Sequence, residues 1–157
     1  MLIAVNIRLI ESKDRLDLKA IIDANELFPA NMLDEMLYDY FSENNSHEIW
    51  LTGTVENKPV AIAYCAPEKM TEGTWNLYLI AVHPEYQGQG IGTAIIGHVE
   101  QMLISRGQRI LLVETSGLDS FAKTRSFYKR CGYEEEARIR EFYDVGEDKI
   151  VFRKSLV

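Results

Sequence analysis

The 157 residues are 46% hydrophobic and 26% charged, the balance of a folded globular domain and of neither a disordered nor a fibrous chain. A formal net charge of -7 sets the surface against phosphate backbones and anionic headgroups, so nucleic acid and membrane are not expected partners. No apolar run nears the roughly 18 residues a bilayer span needs, and the apolar start lacks a basic leader. Cys65 and Cys131 have neither CxxC nor zinc spacing, so a single cytoplasmic domain over 1–157 is expected, with no metal.

In chain order, residues 2–10 alternate as a strand. The stretch 14–28 carries Leu16, Ala20, Ile21, Ala24 and Leu27 at helical spacing before Pro29, and 31–43 repeats the pattern as a second helix. Three β-rich runs follow, "EIWLTGTVEN", "KPVAIAYCA" and "TWNLYLIAV", joined by turns that suggest an antiparallel meander. The third is apolar on both faces, as a mid-sheet strand would be. A helix with Ile91, Ile95, Val99, Met102 and Leu103 on one face stops at Gly107, and "RILLVET" reads as a buried strand. Strand, helix, strand in that order implies a parallel pair joined by a right-handed crossover. A short helix, "FAKTRSFYKRC", and a terminal hairpin across "DVGED" close the chain. The expected fold is α/β (α+β): a mixed, mostly antiparallel central sheet flanked by helices, in the order β-α-α-β-β-β-α-β-α-β-β.

Between the third meander strand and the next helix stands "HPEYQGQGIG". Glycines in a loop that opens a helix let an anion approach unpaired N–H groups at the positive end of the helix dipole. They also serve a tight bend, and the glycines alone fit both uses. A Walker loop is excluded, because Thr93 and Ala94 rather than Lys-Ser or Lys-Thr follow Gly92. A dinucleotide fingerprint fits poorly: Glu114 stands at about the right distance for a ribose-binding acid, but Thr93 replaces the last glycine and there is no second βαβ half.

With Gln87, Gly90 and Gly92 in the pattern Gln/Arg-x-x-Gly-x-Gly/Ala, preceded by Val82, Pro84 and Tyr86, the sequence resembles the GNAT superfamily of N-acetyltransferases, and its elements follow the family order. The resemblance implies acetyl-CoA as cosubstrate, its pyrophosphate held by the N–H groups of Gln87, Gly88, Gln89, Gly90, Ile91, Gly92 and Thr93. It also implies that the pantetheine arm runs along Ile80, Ala81 and Val82, in a slot where that strand bulges and splays from its parallel neighbour, with the Val82 N–H on the thioester oxygen. Tyr128 falls where the family carries a tyrosine acid, and Glu114 where some members carry a glutamate base. The residues themselves also allow Tyr128 to be a core aromatic and Glu114 a solvated strand-end carboxylate. The chain departs from the pattern before the tyrosine, with Phe121 and Thr124 where many members have Asn and Ala. Arg125, Lys129 and Arg130 could meet a CoA phosphate or form a solvated face.

Acylating an amine near neutrality needs a group to remove the ammonium proton and a group to protonate the departing thiolate. The implied function is therefore direct transfer of an acetyl group from acetyl-CoA to a primary amine of a small molecule or peptide. The alternative is an inactive CoA-binding module, and either a monomer or a homodimer is compatible. Asp34, Glu35, Asp39, Tyr38 and Tyr40, with Phe142, Tyr143 and Asp144, would suit a cationic acceptor or simply a solvated acidic face.

Overall fold

The computed structural model describes residues 3–42 and 47–157. Leu2, in the first predicted strand, and Glu43, at the end of the second predicted helix, lie outside the described residues. The strands are β1 (Asn6–Leu9), β2 (Ile49–Val55), β3 (Lys58–Pro67), β4 (Thr74–Val82), β5 (Ile110–Ser116), β6 (Glu134–Asp144) and β7 (Glu147–Ser155). The helices are α1 (Arg15–Ala24), α2 (Met32–Ser42), α3 (Ile91–Ser105) and α4 (Ala122–Arg130). This is the expected order. The strands form one mixed sheet, β1-β2-β3-β4-β5-β7-β6, in which β4 and β5 are parallel. The pairs β1–β2, β2–β3, β5–β7 and β6–β7 are antiparallel.

The residues group into two compact units, Met1–Ala66 with Leu79–Gln101, and Pro67–Tyr78 with Met102–Val157. In the first, Leu18, Ile21, Ile22, Leu33 and Leu37 from the two N-terminal helices join Ile10, Trp50, Ile62, Leu79 and Ala81 in one core cluster. The buried face of α1 differs from the one its spacing suggested: Leu16 is 80% and Leu27 43% exposed, and Ala20 and Ala24 are also exposed. The helix also ends sooner, at Ala24, with Glu26 at φ 52° just beyond it. Its start is fixed by buried Asp14, whose carboxylate receives Arg8 Nη1 and Nη2 at 2.7 and 2.8 Å and the Glu11 N–H at 2.8 Å. Starting the helix there turns Leu18 and Ile22 inward.

In the second unit β4 pairs with β5 from Thr74↔Ile110 to Leu77↔Val113. Alternation then sorts the side chains by face. Leu77, Leu111, Val113, Ile150 and Phe152 are buried on one face, while Asn76, Tyr78, Leu112, Glu114, Lys149 and Val151 share the other. The end of α3 is closed by Gly107 at φ 72°, with Gln108 N–H on Leu103 O (2.9 Å) and Gly107 N–H on Ile104 O (3.0 Å). That paired bonding is a Schellman stop, as the glycine implied.

Candidate active site

In the first unit β4 leads into a 3-10 turn, Pro84–Tyr86, capped by His83, whose Nδ1 accepts the Glu85 N–H at 3.2 Å. Gly88 and Gly90 follow at φ 75° and 84°, values that strain an L side chain. A Cβ on Gly88 would meet nothing within 4 Å, so the backbone angle alone calls for glycine there. Gly92 lies within α3 and not in the positive-φ region. The Ala94 N–H bonds Gly90 O at 3.0 Å, the first i→i−4 bond of the helix. The N–H groups of Ile91, Gly92 and Thr93 are therefore first-turn donors with no acceptor in their own helix, at the positive end of a 15-residue dipole. Ile91 is buried, and Gly53 of β2 lies under it: a Cβ there would crowd Val5 Cγ2 at 3.2 Å and Ala61 Cβ at 3.3 Å and would meet Ile91 Cγ2 at an ordinary 3.8 Å.

The predicted motif glutamine has a second use. Its N–H belongs to the turn, bonding Pro84 O at 3.4 Å, while its Nε2 donates to Val82 O at 2.9 Å and to Asn25 Oδ1 at 3.1 Å. Asn25 Nδ2 donates to the same Val82 carbonyl at 3.1 Å. In an antiparallel strand the N–H and C=O of one residue point to the same edge and alternate along the chain. Because the His83 N–H bonds Val60 O at 2.8 Å, the Val82 groups face away from β3. There the carbonyl is satisfied by two side-chain amides.

In the second unit Glu114 is tied at both oxygens. Oε1 accepts from Asn76 Nδ2 at 2.9 Å, and Oε2 lies 3.0 Å from Lys149 Nζ, which also sits 4.0 Å from the centre of the Phe142 ring. Asn76 Nδ2 also donates to Glu68 Oε1 at 3.0 Å, and the Tyr78 hydroxyl donates to that oxygen at 2.8 Å. The Asn76 side chain is buried and its Oδ1 has no partner among the described residues. Partial burial, the Glu68 hydrogen bond and the charges of Glu68 and Glu114 push the Tyr78 phenol up to about 12. Burial, then the charges of Glu114 and Glu147, raises Tyr143 as well. Glu68, Asn76, Tyr78 and Lys149 were not singled out from the sequence. The available signal was Asn76, a polar residue in the middle of a strand whose pattern is that of a buried one.

Tyr128 lies on the opposite face, 3% exposed, its ring 5.6 Å from Phe152 and 6.2 Å from Tyr133. Burial, followed by Cys131 and Tyr143, raises its phenol well above the ordinary range, so it stays protonated. Arg125 is structural: its Nη1 donates to Ser116 O and Leu118 O at 2.7 and 2.8 Å and ties α4 to the end of β5. Lys129 and Arg130 are exposed, and Ala122, Lys123, Ser126 and Arg130 line an open depression along α4. Of the acidic residues expected around the acceptor, Asp34 is engaged by Lys19 and Arg15.

A family model for the acetyltransferase (GNAT) domain matches residues 45–135. The chain belongs to the GNAT acetyltransferase family. A GNAT-family protein from Desulfovibrio desulfuricans has the same fold over 98% of this chain and 100% of its own, with a TM-score of 0.92 and 31% identity. The ribosomal protein bS18 alanine N-acetyltransferase of Escherichia coli is 36% identical over 78 residues, 48% of this chain. The match spans about half, 51%, of that relative. The fold of the Escherichia coli enzyme superposes over 98% of this chain and 94% of its own, at a TM-score of 0.78 and 24% identity. A Salmonella typhimurium protein solved with its cofactor acetyl-CoA has the same fold at a TM-score of 0.79 and 15% identity, covering 98% of this chain and 95% of its own. Among the described residues no helix is long and apolar enough to cross a membrane.

Proposed function

We propose that this GNAT-family chain is an acetyl-CoA-dependent N-acetyltransferase, a single transferase domain over 1–157 acting on a cationic primary amine of a small molecule or a peptide in the cytoplasm. The observation that carries the reading is the first turn of α3, where the N–H groups of Ile91, Gly92 and Thr93 follow two positive-φ glycines. Three convergent donors beside a backbone without side chains fit a diphosphate, and nothing acidic stands at Gln87, Gly88, Gln89 or Gly90 to oppose it. Ile80, Ala81 and Val82 offer a main-chain edge to the amides of the pantetheine arm.

Acetyl-CoA, when bound, supplies the acetyl group as a thioester whose sulfur is the leaving atom. The residues of the chain supply hydrogen bonds and move protons. The Val82 N–H would serve as the oxyanion donor to the acyl oxygen. Tyr128, kept neutral by burial, would donate its O–H hydrogen bond to the sulfur. A thiol, with an ordinary pKa of about 8.5, is a stronger acid than this phenol. Tyr128 would therefore stabilise the departing sulfur by hydrogen bonding more than by complete proton loss. Glu114, with Asn76 and Lys149, is the centre of the carboxylate network that draws the ammonium and takes its proton.

The peptide branch of the acceptor class is supported by the likeness to an enzyme named for acetylating an alanine of a ribosomal protein. The test is a panel of small amines and peptides with free N-termini, incubated with acetyl-CoA and followed by free-thiol release, alongside calorimetry with CoA. Amine-dependent thiol release is expected. CoA binding with no amine-dependent release would leave a CoA-binding module, and no CoA binding would end the reading altogether.

A further inference from the structure

The proton-accepting network holds two carboxylates, and they are not equivalent. Both oxygens of Glu114 are engaged, one by Asn76 and one by the ammonium of Lys149, whose side chain is only 12% exposed. Glu68 is held at one oxygen only: Oε1 receives Tyr78 Oη at 2.8 Å and Asn76 Nδ2 at 3.0 Å. Its Oε2 has no hydrogen-bond or ion-pair partner among the described residues, and the side chain is half-buried. The Asn76 amide spends both N–H groups on the two glutamates and lies buried between them. Two carboxylates set against one ammonium leave the network one negative charge, and Glu114 is the one paired with Lys149.

We propose that Glu68 is the general base for the acceptor amine, and that Glu114 is a positioning residue which, anchored by Lys149, holds Asn76 so that Asn76 orients Glu68. This inference rests on the transferase reading above and changes the residue that takes the proton. The step moves one proton: an N–H bond of the acceptor ammonium breaks, an O–H bond forms at Glu68 Oε2, and the nitrogen keeps the lone pair with which it attacks the acyl carbon. Glu68 returns its proton to solvent after the acetylated product leaves. Tyr78 is suited to the support role because its phenol, pushed up to about 12, remains a donor to Oε1 throughout the working pH range. With Oε1 occupied by two donors, Oε2 is the oxygen left to accept.

The test compares Glu68→Gln and Glu114→Gln in the full chain, on two probe amines. One is an aliphatic amine that is charged at pH 7. The other is 2,2,2-trifluoroethylamine, which is largely neutral there and needs no base to expose its lone pair. Glu68→Gln keeps a carbonyl oxygen for Tyr78 and Asn76 and should lower kcat/KM on the charged amine about 10²-fold, the usual scale of lost base catalysis. On the neutral amine it should retain turnover within a few-fold, which also reports that the variant is folded. The Glu114→Gln deficit should be similar on both amines, as expected of a residue that sets geometry rather than taking the proton. A Glu68→Gln enzyme with near wild-type rates on the charged amine would overturn the assignment, as would a Glu114→Gln deficit confined to that amine. Equal losses by Glu68→Gln on both amines would reduce Glu68 to a structural acid and overturn it too. If the wild-type protein released thiol with neither amine nor any other in the panel, the transferase reading itself would fail, and the base assignment with it.

Discussion

Tyr128 and Glu114 stand on opposite faces of the β5–β7 ladder. Tyr128 packs on Phe152, which pairs with Val113, whereas Glu114 pairs with Val151 and bonds Lys149 on the other face. The division keeps the phenol in an apolar aromatic cluster that holds its proton, and the carboxylate in a polar network with Asn76 and Lys149. Tyr128→Phe preserves the ring contacts, so the thermal midpoint at neutral pH and the affinity for CoA should hardly change. Turnover should fall on the order of 10²-fold, measured on an amine for which chemistry limits the rate.

The burial of Tyr128 also sets a pH dependence of stability. Its folded pKa is raised above the unfolded value of about 10, so the native state keeps a proton that the unfolded chain releases first. The contribution is fully present below pH 10 and is lost as pH rises from there through the folded value. Thermal unfolding from pH 9 to 11 should show the midpoint falling with pH, with a shallower fall in Tyr128→Phe. Parallel slopes for the two proteins would contradict the assignment of that titration to Tyr128.

Two glycines of the loop and helix start, Gly88 and Gly92, make separable predictions. Gly92→Glu introduces no left-handed strain and places a carboxylate at the first turn of α3, where the anion is proposed to bind, so CoA binding should be lost while the protein remains folded by circular dichroism. Gly88→Ala meets no steric obstacle, and its cost is that of an L residue at φ 75°, about 1 to 2 kcal/mol of stability. Chemical denaturation and calorimetry on both variants check the pair.

Gln87 carries a different part of the same motif. Its amide and that of Asn25 converge on Val82 O, so Gln87→Ala should cost roughly 0.5 to 1 kcal/mol at this exposed position. Gln87→Glu turns the donor into an acceptor facing Val82 O and Asn25 Oδ1, and should cost more. Denaturant midpoints for the two variants test the order.

How far the sequence could be read follows from the range of each signal. The meander, the Schellman glycine Gly107 and the Gly88–Gly90 turn are local, set by alternation over a few residues or by one backbone angle, and they stand where the pattern put them. The phase of α1 did not, because Leu16 and Leu18 compete for the core on spacing alone, and the decision falls to Asp14 and its bonds to Arg8 and Glu11. The network around Glu114 was out of reach for another reason. Glu68 enters it from a turn 46 positions earlier in the chain, through Asn76, and only the parallel register Asn76↔Leu112 brings Asn76 and Glu114 onto one face.

Asp14 supplies the last prediction. Its carboxyl is held below the ordinary range chiefly by the Arg8 hydrogen bonds, which outweigh the opposing cost of burial, with the Glu11 N–H adding to the lowering. A depressed folded pKa means stability that is present above the unfolded value of about 3.9 and lost as pH falls through the folded one. The midpoint of thermal unfolding should therefore drop on acidification below pH 4, and Asp14→Asn should remove part of that drop. At neutral pH the variant leaves a bidentate guanidinium facing an amide and loosens the turn that leads into α1. A loss on the order of 2 kcal/mol is expected, larger than for Lys13→Met, which breaks only the exposed pair with Glu11. Equal stabilities for the two variants would show that the buried pair does not determine where the helix begins.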